Sequence, residues 1–322
     1  MRLDFLDPDQ PLLDDRFPLP LDQPFTHQEA RAAGLSPKQL GRLCAQEYLK
    51  RPVVGVYVAA QVPDSLTLRS DVLRLVVPEE AVVTDRTAGW MHGAQMILAP
   101  GDHLVVPRVS MFLDREGARL RNGVSDSGQR LFRPDEIVEV RGVRVTDPLR
   151  TTCDLGRLLR RESAFAAIVM MLRLGVFSKE ELMDFVGRFR RRRHVRQLRT
   201  LAALADPRAE SPPEAIVHLR WVDVLRREPE LQIEVERPDQ WSYRLDIGVE
   251  ELRFAIEYDG EEWHQSTDEQ RERDERRRAW LHEEGGWSIE PVTKVNVFGR
   301  QRAIEQIILG AYHDACRRFR PR

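Results

Sequence analysis

The chain has 322 residues, 42% apolar and 32% charged, with a formal net charge of −2. That length suits two or three domains, and that balance fills globular cores while excluding the overall basic charge of a general polyanion binder. Cys44, Cys153 and Cys316 are far apart and form no C-x-x-C pair, which argues against a thiolate zinc site or a disulfide framework; they read as buried thiols in a reducing compartment.

The first ten residues lack a signal peptide's apolar core, and the longest clean apolar run, 166–172, is too short for a bilayer. A soluble, cytoplasmic protein without membrane contact is expected. Residues 1–25 hold six Asp, two Arg and five Pro, which predicts an arm lying on the surface or a disordered tail.

Thr26 and Glu29 form a capping box with Gly34 as the stop, and Ser36, Pro37 and Gln39 open a second short helix. V-V-G-V-Y-V at 53–58 then reads as a β run broken by Gly55. Helix, turn, helix and hairpin predict a winged helix-turn-helix over 26–75. Its second helix would expose Lys38, Gln39 and Arg42, residue types suited to phosphates and base edges. The same module also serves as a protein-interaction surface.

A mixed α/β middle region spans 76–205. A capped short helix ends at Gly93, H-L-V-V-P at 103–107 and E-I-V-E-V-R-G-V-R-V read as strands, and Thr146 caps an amphipathic helix with Pro148 in its first turn. His92 and His103 lack metal-ligand spacing and read as structural. Residues 187–199 carry seven Arg and no acid. On one helix those charges repel unless anions neutralise them, so Arg190, Arg191, Arg192, Arg193 and Arg196 are candidates for phosphate contact or for facing an acidic protein surface.

The stretch D-P-R-A-E-S-P-P at 206–213 reads as a linker. An α-β-β-β-α-β-α unit follows over 206–322: a helix from Glu214, strands at 231–236, 243–249 and 252–259, a helix at 267–284, a strand at 287–293 and a helix at 300–318. Alternation along a strand puts Glu257 and Asp259 on one face of the third strand. Matching apolar faces across the hairpin places Asp246 opposite Ala255 or Arg253 and on the same side as those two acids. Convergent carboxylates repel, and hard oxygen ligands with room for water and phosphate suit Mg2+ or Mn2+. His264 follows the strand end where it would exchange a proton with an attacking water.

Those motifs carry a resemblance. S-P-P-E at 211–214, R-L-D at 244–246, A-I-E-Y-D-G at 255–260, His264, D-E-R-R at 274–277 and G-W at 286–287 resemble the very-short-patch-repair-like nuclease domain (domain of unknown function 559) of the PD-(D/E)XK superfamily. The resemblance implies a restriction-endonuclease-like α/β domain with Asp246 and Glu257 as metal ligands, supported by Glu214 and Asp259. It departs at Asp259, where the superfamily keeps a lysine, so His264 or Arg277 would have to substitute. Residues 26 to about 185 resemble AbiEi-type antitoxin regions, with Thr146, Arg150, Thr151 and Asp154 in a T-x-x-x-R-T-x-x-D segment; Val53 and Val54 replace the usual basic residues before G-V-Y. That resemblance implies DNA binding or neutralisation of a toxin partner. The expectation is an α+β multidomain protein acting as a metal-dependent DNA endonuclease, with Arg277 and Arg244 cradling the scissile phosphate. The alternative is an antitoxin-like transcriptional regulator that keeps a degenerate nuclease fold.

Overall fold

Capping boxes open the first two helices as the sequence requires: the Thr26 hydroxyl accepts from Glu29 N–H at 3.2 Å, and the Ser36 hydroxyl from Gln39 N–H at 3.3 Å. The computed structural model describes residues 12–96, 106–113, 123, 125–127, 130–238, 242–259, 268–299 and 303–318. The chain is mixed α+β and divides after Leu155 into two compact units. The division falls inside the 76–205 segment, so residues 156–205 group with the C-terminal α/β elements. No helix among the described residues is long and apolar enough to cross a membrane.

The first unit contains β1 (Phe25–Thr26), α1 (His27–Ala32), α2 (Pro37–Ala45), β2 (Leu49–Val53), β3 (Val56–Ala59), α3 (Leu66–Arg74), β4 (Ala81–Val83), α4 (Asp85–Met91), β5 (Val109–Leu113), β6 (Ser125–Asp126), β7 (Ile137–Val140) and β8 (Val143–Thr146). A three-stranded sheet has the order β1-β3-β2, and a five-stranded sheet the order β6-β5-β4-β8-β7. Gly55 turns the β2–β3 hairpin at φ +91°, a left-handed conformation that favours glycine. From residue 12 up to β1 the N-terminal segment is an arm without helix or strand, laid down by Leu13 and Phe17, which are buried in one core with Phe25, Leu40 and Leu43. The prolines keep the segment out of a helix, and two apolar side chains with somewhere to pack hold it down. Residues 1–11 lie outside the described residues, as does most of the 103–107 strand expectation; the strand found there is β5, further along.

Helix α5 (Pro148–Leu158) carries the chain across the division. Its cap is Asp147 rather than Thr146: Asp147 Oδ1 accepts from Leu149 N–H at 2.9 Å and Arg150 N–H at 3.2 Å. The Thr146 hydroxyl instead bonds the Thr151 hydroxyl at 2.7 Å.

The second unit contains α6 (Arg161–Arg173), α7 (Lys179–Val186), α8 (Val195–Leu204), α9 (Pro212–Leu225), β9 (Glu230–Glu236), β10 (Ser242–Val249), β11 (Phe254–Asp259), α10 (Asp268–Glu283), β12 (Ser288–Thr293), α11 (Lys294–Phe298) and α12 (Ile304–Arg318). Its four strands run in the order β12-β11-β10-β9, with β11 and β12 parallel and the other pairs antiparallel. Trp221 of α9 is fully buried and stacks on Phe254 of β11, ring centroids 5.6 Å apart, fixing helix to sheet. The single helix expected over 300–318 is shorter and preceded by α11, which ends at Phe298. A Cβ at Gly299 would meet the Val295 carbonyl oxygen at 2.3 Å, so the chain turns there on a glycine.

The arginine-rich segment is not one helix. A short 3-10 turn (Gly187–Phe189) leads into a loop with Arg191 at φ +68° and His194 at φ +60°, and α8 starts only at Val195. The crowded charges separate across a turn instead of stacking on one helical face. Phe189 and Leu198, both buried, anchor its ends.

Candidate active site

The four-stranded sheet forks at the carboxylates. Strand β10 pairs with β11 at Ile247–Ile256, Gly248–Ala255 and Val249–Phe254. From there β10 continues against β9 through Ser242–Glu236, while β11 continues against β12 through Asp259–Thr293. The connection is a short 3-10 turn, Glu250–Leu252, with Arg253 at φ +42°. It corrects the expected register: Ala255 faces Gly248, and Asp246 falls beside Glu257 and Tyr258. Gly248 permits this pairing, since a Cβ there would lie 2.3 Å from the Phe254 carbonyl oxygen.

At the fork the ladder gives way to a side chain. Asp246 Oδ2 accepts the Tyr258 backbone N–H at 3.0 Å. Glu257 is buried, at 6% exposure, and its carboxylate receives both terminal nitrogens of Arg277 from α10, one at 3.1 Å. Arg277 also donates to the Arg244 carbonyl at 2.9 Å. Glu214 sits at the start of α9, where its carboxylate accepts from the Ser211 hydroxyl at 2.7 Å, Glu210 N–H at 2.8 Å and Gln232 Nε2 at 3.2 Å.

Asp246 thus feels two other carboxylates and one guanidinium. Burial, then the charge of Glu214, pushes the Asp246 pKa up from 3.8 to about 7; Glu257 adds to the rise, and the Tyr258 N–H and Arg277 oppose it. An acid held half-protonated near neutrality by burial and, second, by neighbouring carboxylates marks a functional candidate.

The structure brings together Asp246, Glu257 and Glu214, with Arg277 among them. It does not add Asp259, whose Oδ2 takes Arg278 Nη2 at 2.8 Å. Two adjacent arginines of α10 therefore meet two alternate acids of β11, a correspondence hidden from sequence because it depends on how the helix crosses the strand. Arg244 turns its Nη2 to Glu210 at 2.9 Å and gives the cluster its carbonyl. His264 lies outside the described residues.

A divalent cation suits this donor set in chemistry: hard carboxylate oxygens at a point where anionic charge exceeds cationic. Among the described residues, however, no group of three His, Cys, Asp or Glu is arranged to close on one ion. The two acids that could share an ion are Asp246 and Glu257, and Glu257 would have to exchange Arg277 for it.

The candidate nucleic-acid residues fall in two places. Lys38 and Arg42 are exposed on α2, but the Gln39 Oε1 is held by the Ser36 N–H and hydroxyl, both at 2.8 Å, so Gln39 serves the cap. Arg190, Arg191, Arg192, Arg193 and Arg196 are all exposed around the turn before α8.

Arg150 and Asp154 of the T-x-x-x-R-T-x-x-D segment, an i,i+4 pair, form the buried centre of an ion network whose other members, Glu136, Arg130 and Asp85, are distant in sequence. Arg150 donates Nε to Asp154 at 2.8 Å and Nη1 to Glu136; Arg130 reaches Asp85 at 2.7 Å and Asp154 at 3.4 Å. The His92 Nε2 meets the Thr146 carbonyl at 2.8 Å, a structural role. Asp85 opens α4 at φ +52°, a strained conformation for a non-glycine residue.

No protein-family model matches the chain. It is similar to two proteins of Mycobacterium tuberculosis, the uncharacterized protein MT2308 of strain CDC 1551 / Oshkosh and the uncharacterized protein Rv2248 of strain ATCC 25618 / H37Rv. Each is 33% identical to it over 244 residues, covering 76% of this chain and 85% of the relative. The chain belongs to the family of these two mycobacterial proteins.

Proposed function

We propose that the chain is a metal-dependent DNA endonuclease of the PD-(D/E)XK type, working at the sheet fork. The observation that carries this reading is the pairing that sets Asp246 across from the buried Glu257, near enough to Glu214 to feel its charge, with the Asp246 pKa pushed up to about 7. Asp246 and Glu257 would hold Mg2+ or Mn2+. When bound, the ion supplies polarisation of a phosphoryl oxygen and a more acidic water. The Tyr258 N–H keeps the Asp246 carboxylate in place. Arg277 neutralises Glu257 and, once released, is a guanidinium suited to a phosphate's two oxygens. His264 remains the candidate for proton exchange.

Calorimetric titration tests the pairing. Mn2+ should bind the wild-type chain at one site, and binding should weaken at least about tenfold in Asp246→Asn and in Glu257→Gln, the loss of one charged ligand. An absence of Mn2+ and Mg2+ heat would remove the metal from this reading.

DNA would be gripped elsewhere on the chain. The order α1, α2, β2 and β3 reads as a winged helix-turn-helix, with Lys38 and Arg42 exposed on α2. The exposed arginines before α8 suit a phosphate backbone. Replacing Arg191, Arg192 and Arg193 by serine should lower the slope of log affinity against log salt by about 0.9 for each phosphate left unneutralised. An unchanged slope would take this loop out of the interface.

A second reading has its own observation. Arg277 closes on Glu257, and Asp259 stands where a lysine would serve catalysis. On that basis the fold acts as an antitoxin-like DNA-binding regulator, its partner a toxin protein. Sequence-specific binding upstream of its own gene without cleavage would favour it. Either reading places the protein in the cytoplasm.

A further inference from the structure

A groove between α10 and β12 lies one strand away from the acid fork. Arg278 and His282 of α10 line it together with Trp287, Ile289 and Pro291, around a volume of about 190 Å³. In the parallel ladder Ile289 pairs with Ala255 and Pro291 with Glu257. The groove floor and the fork are therefore neighbours across a single strand spacing, about 4.8 Å.

The lining combines two chemistries. Trp287 is buried and Ile289 half-buried, so the floor is apolar and aromatic, while His282 and Pro291 are exposed and leave the groove open to solvent. The rim carries a guanidinium and an imidazole. Arg278 is fixed by Asp259, through Nη2 to Oδ2 at 2.8 Å, so the acid that replaces the expected lysine holds a cation at the groove's edge. The groove is smaller than the roughly 300–1,000 Å³ of sites for drug-sized ligands, which suits a single ring system. An apolar floor under N–H donors, one of them a guanidinium, complements a flat aromatic ring that carries a phosphate.

We propose that this groove receives one nucleotide unit of the strand whose backbone crosses the fork. The base lies against Ile289 and Pro291 and reaches only the edge of the buried Trp287, and its phosphate meets Arg278 and His282. Asp259 is then a positioning residue acting through Arg278. The identity of the polymer rests on the nuclease reading of the fork; the complementarity to a nucleotide rests on the groove alone.

The test is titration of the full-length chain with each deoxynucleoside 5′-monophosphate, the matching deoxynucleosides and inorganic phosphate, followed by tryptophan fluorescence and calorimetry. The monophosphates should bind more tightly than either fragment. His282→Glu and Asp259→Asn should each weaken them by about tenfold, the worth of one charge-assisted hydrogen bond. His282 is exposed and Asp259 half-buried, and circular dichroism checks that both variants fold. No monophosphate binding, or equal binding by all three proteins, overturns the proposal. Plasmid nicking separates the two readings: a chain that nicks DNA without binding monophosphates loses the groove and keeps the nuclease. One that binds them at the groove without nicking keeps the groove and loses the nuclease.

Discussion

Asp246→Asn should stabilise the protein at pH 8 and leave it unchanged at pH 4. The folded state raises the Asp246 pKa from 3.8 to about 7, so the folded chain binds a proton more tightly there than the unfolded chain does. The sign follows from linkage. The contribution is fully present below about pH 4, the unfolded value, and is lost as pH rises through about 7. A shift of about three units corresponds to roughly 4 kcal/mol as an upper bound. Asparagine matches the protonated acid in shape and never ionises, so its stability curve stays flat where the wild-type curve falls. Urea midpoints of both proteins across pH 4–8 check this, and parallel curves would contradict the buried acid cluster. Stability gained by removing a charged side chain is the mark of a residue kept for function.

Arg150→Ala should have an effect of similar size with the opposite sign. Burial alone would lower the Arg150 pKa, but Asp154 and Glu136 more than offset it. Arg150, Asp154 and Glu136 are 7%, 1% and 5% exposed. Removing the guanidinium takes the Arg150 partner from the buried Glu136 and leaves Asp154 with Arg130 at 3.4 Å, a loss of about 3–5 kcal/mol. At roughly 2–4 °C per kcal/mol for a unit of this size, the melting temperature should fall by about 10 °C. Arg150→Lys should recover only part of it, since an ammonium lacks the fork that spans two carboxylates. A drop under about 2 °C would mean that the network is solvated rather than structural.

Much of the molecule was legible in its sequence because local signals there are strong. Thr26 with Glu29 and Ser36 with Gln39 opened helices where they should, and Gly55 and Gly142 turned hairpins with φ of +91° and +80°. The element order of the C-terminal half also followed, down to β12. What failed depended on how distant residues pack. A two-residue turn would set Asp246 against Ala255 or Arg253, but the 3-10 turn over residues 250–252 and Arg253 shifts β10 on β11 so that Asp246 meets Glu257. For the seven arginines the sequence shows the repulsion but not how it is relieved: a turn before α8 disperses them, where an anion-neutralised helix is the other solution. The prolines and acids of residues 1–25 leave a surface arm and a disordered tail equally open, and it is the burial of Leu13 and Phe17 that decides for the arm from residue 12 onward. Asp259 kept its place on the same strand as Glu257. Its partner, Arg278, became visible only when the helix was laid across the sheet.

The most direct measurement is nicking of supercoiled plasmid in Mg2+ or Mn2+ by the wild-type chain beside Asp246→Ala and Glu257→Ala. Loss of activity by at least about a hundredfold in both variants, as removal of charged groups from the reacting site produces, is the predicted result. Equal nicking by all three proteins would contradict a reaction site at the fork, and no nicking by any of them would leave the regulator as the function of this fold.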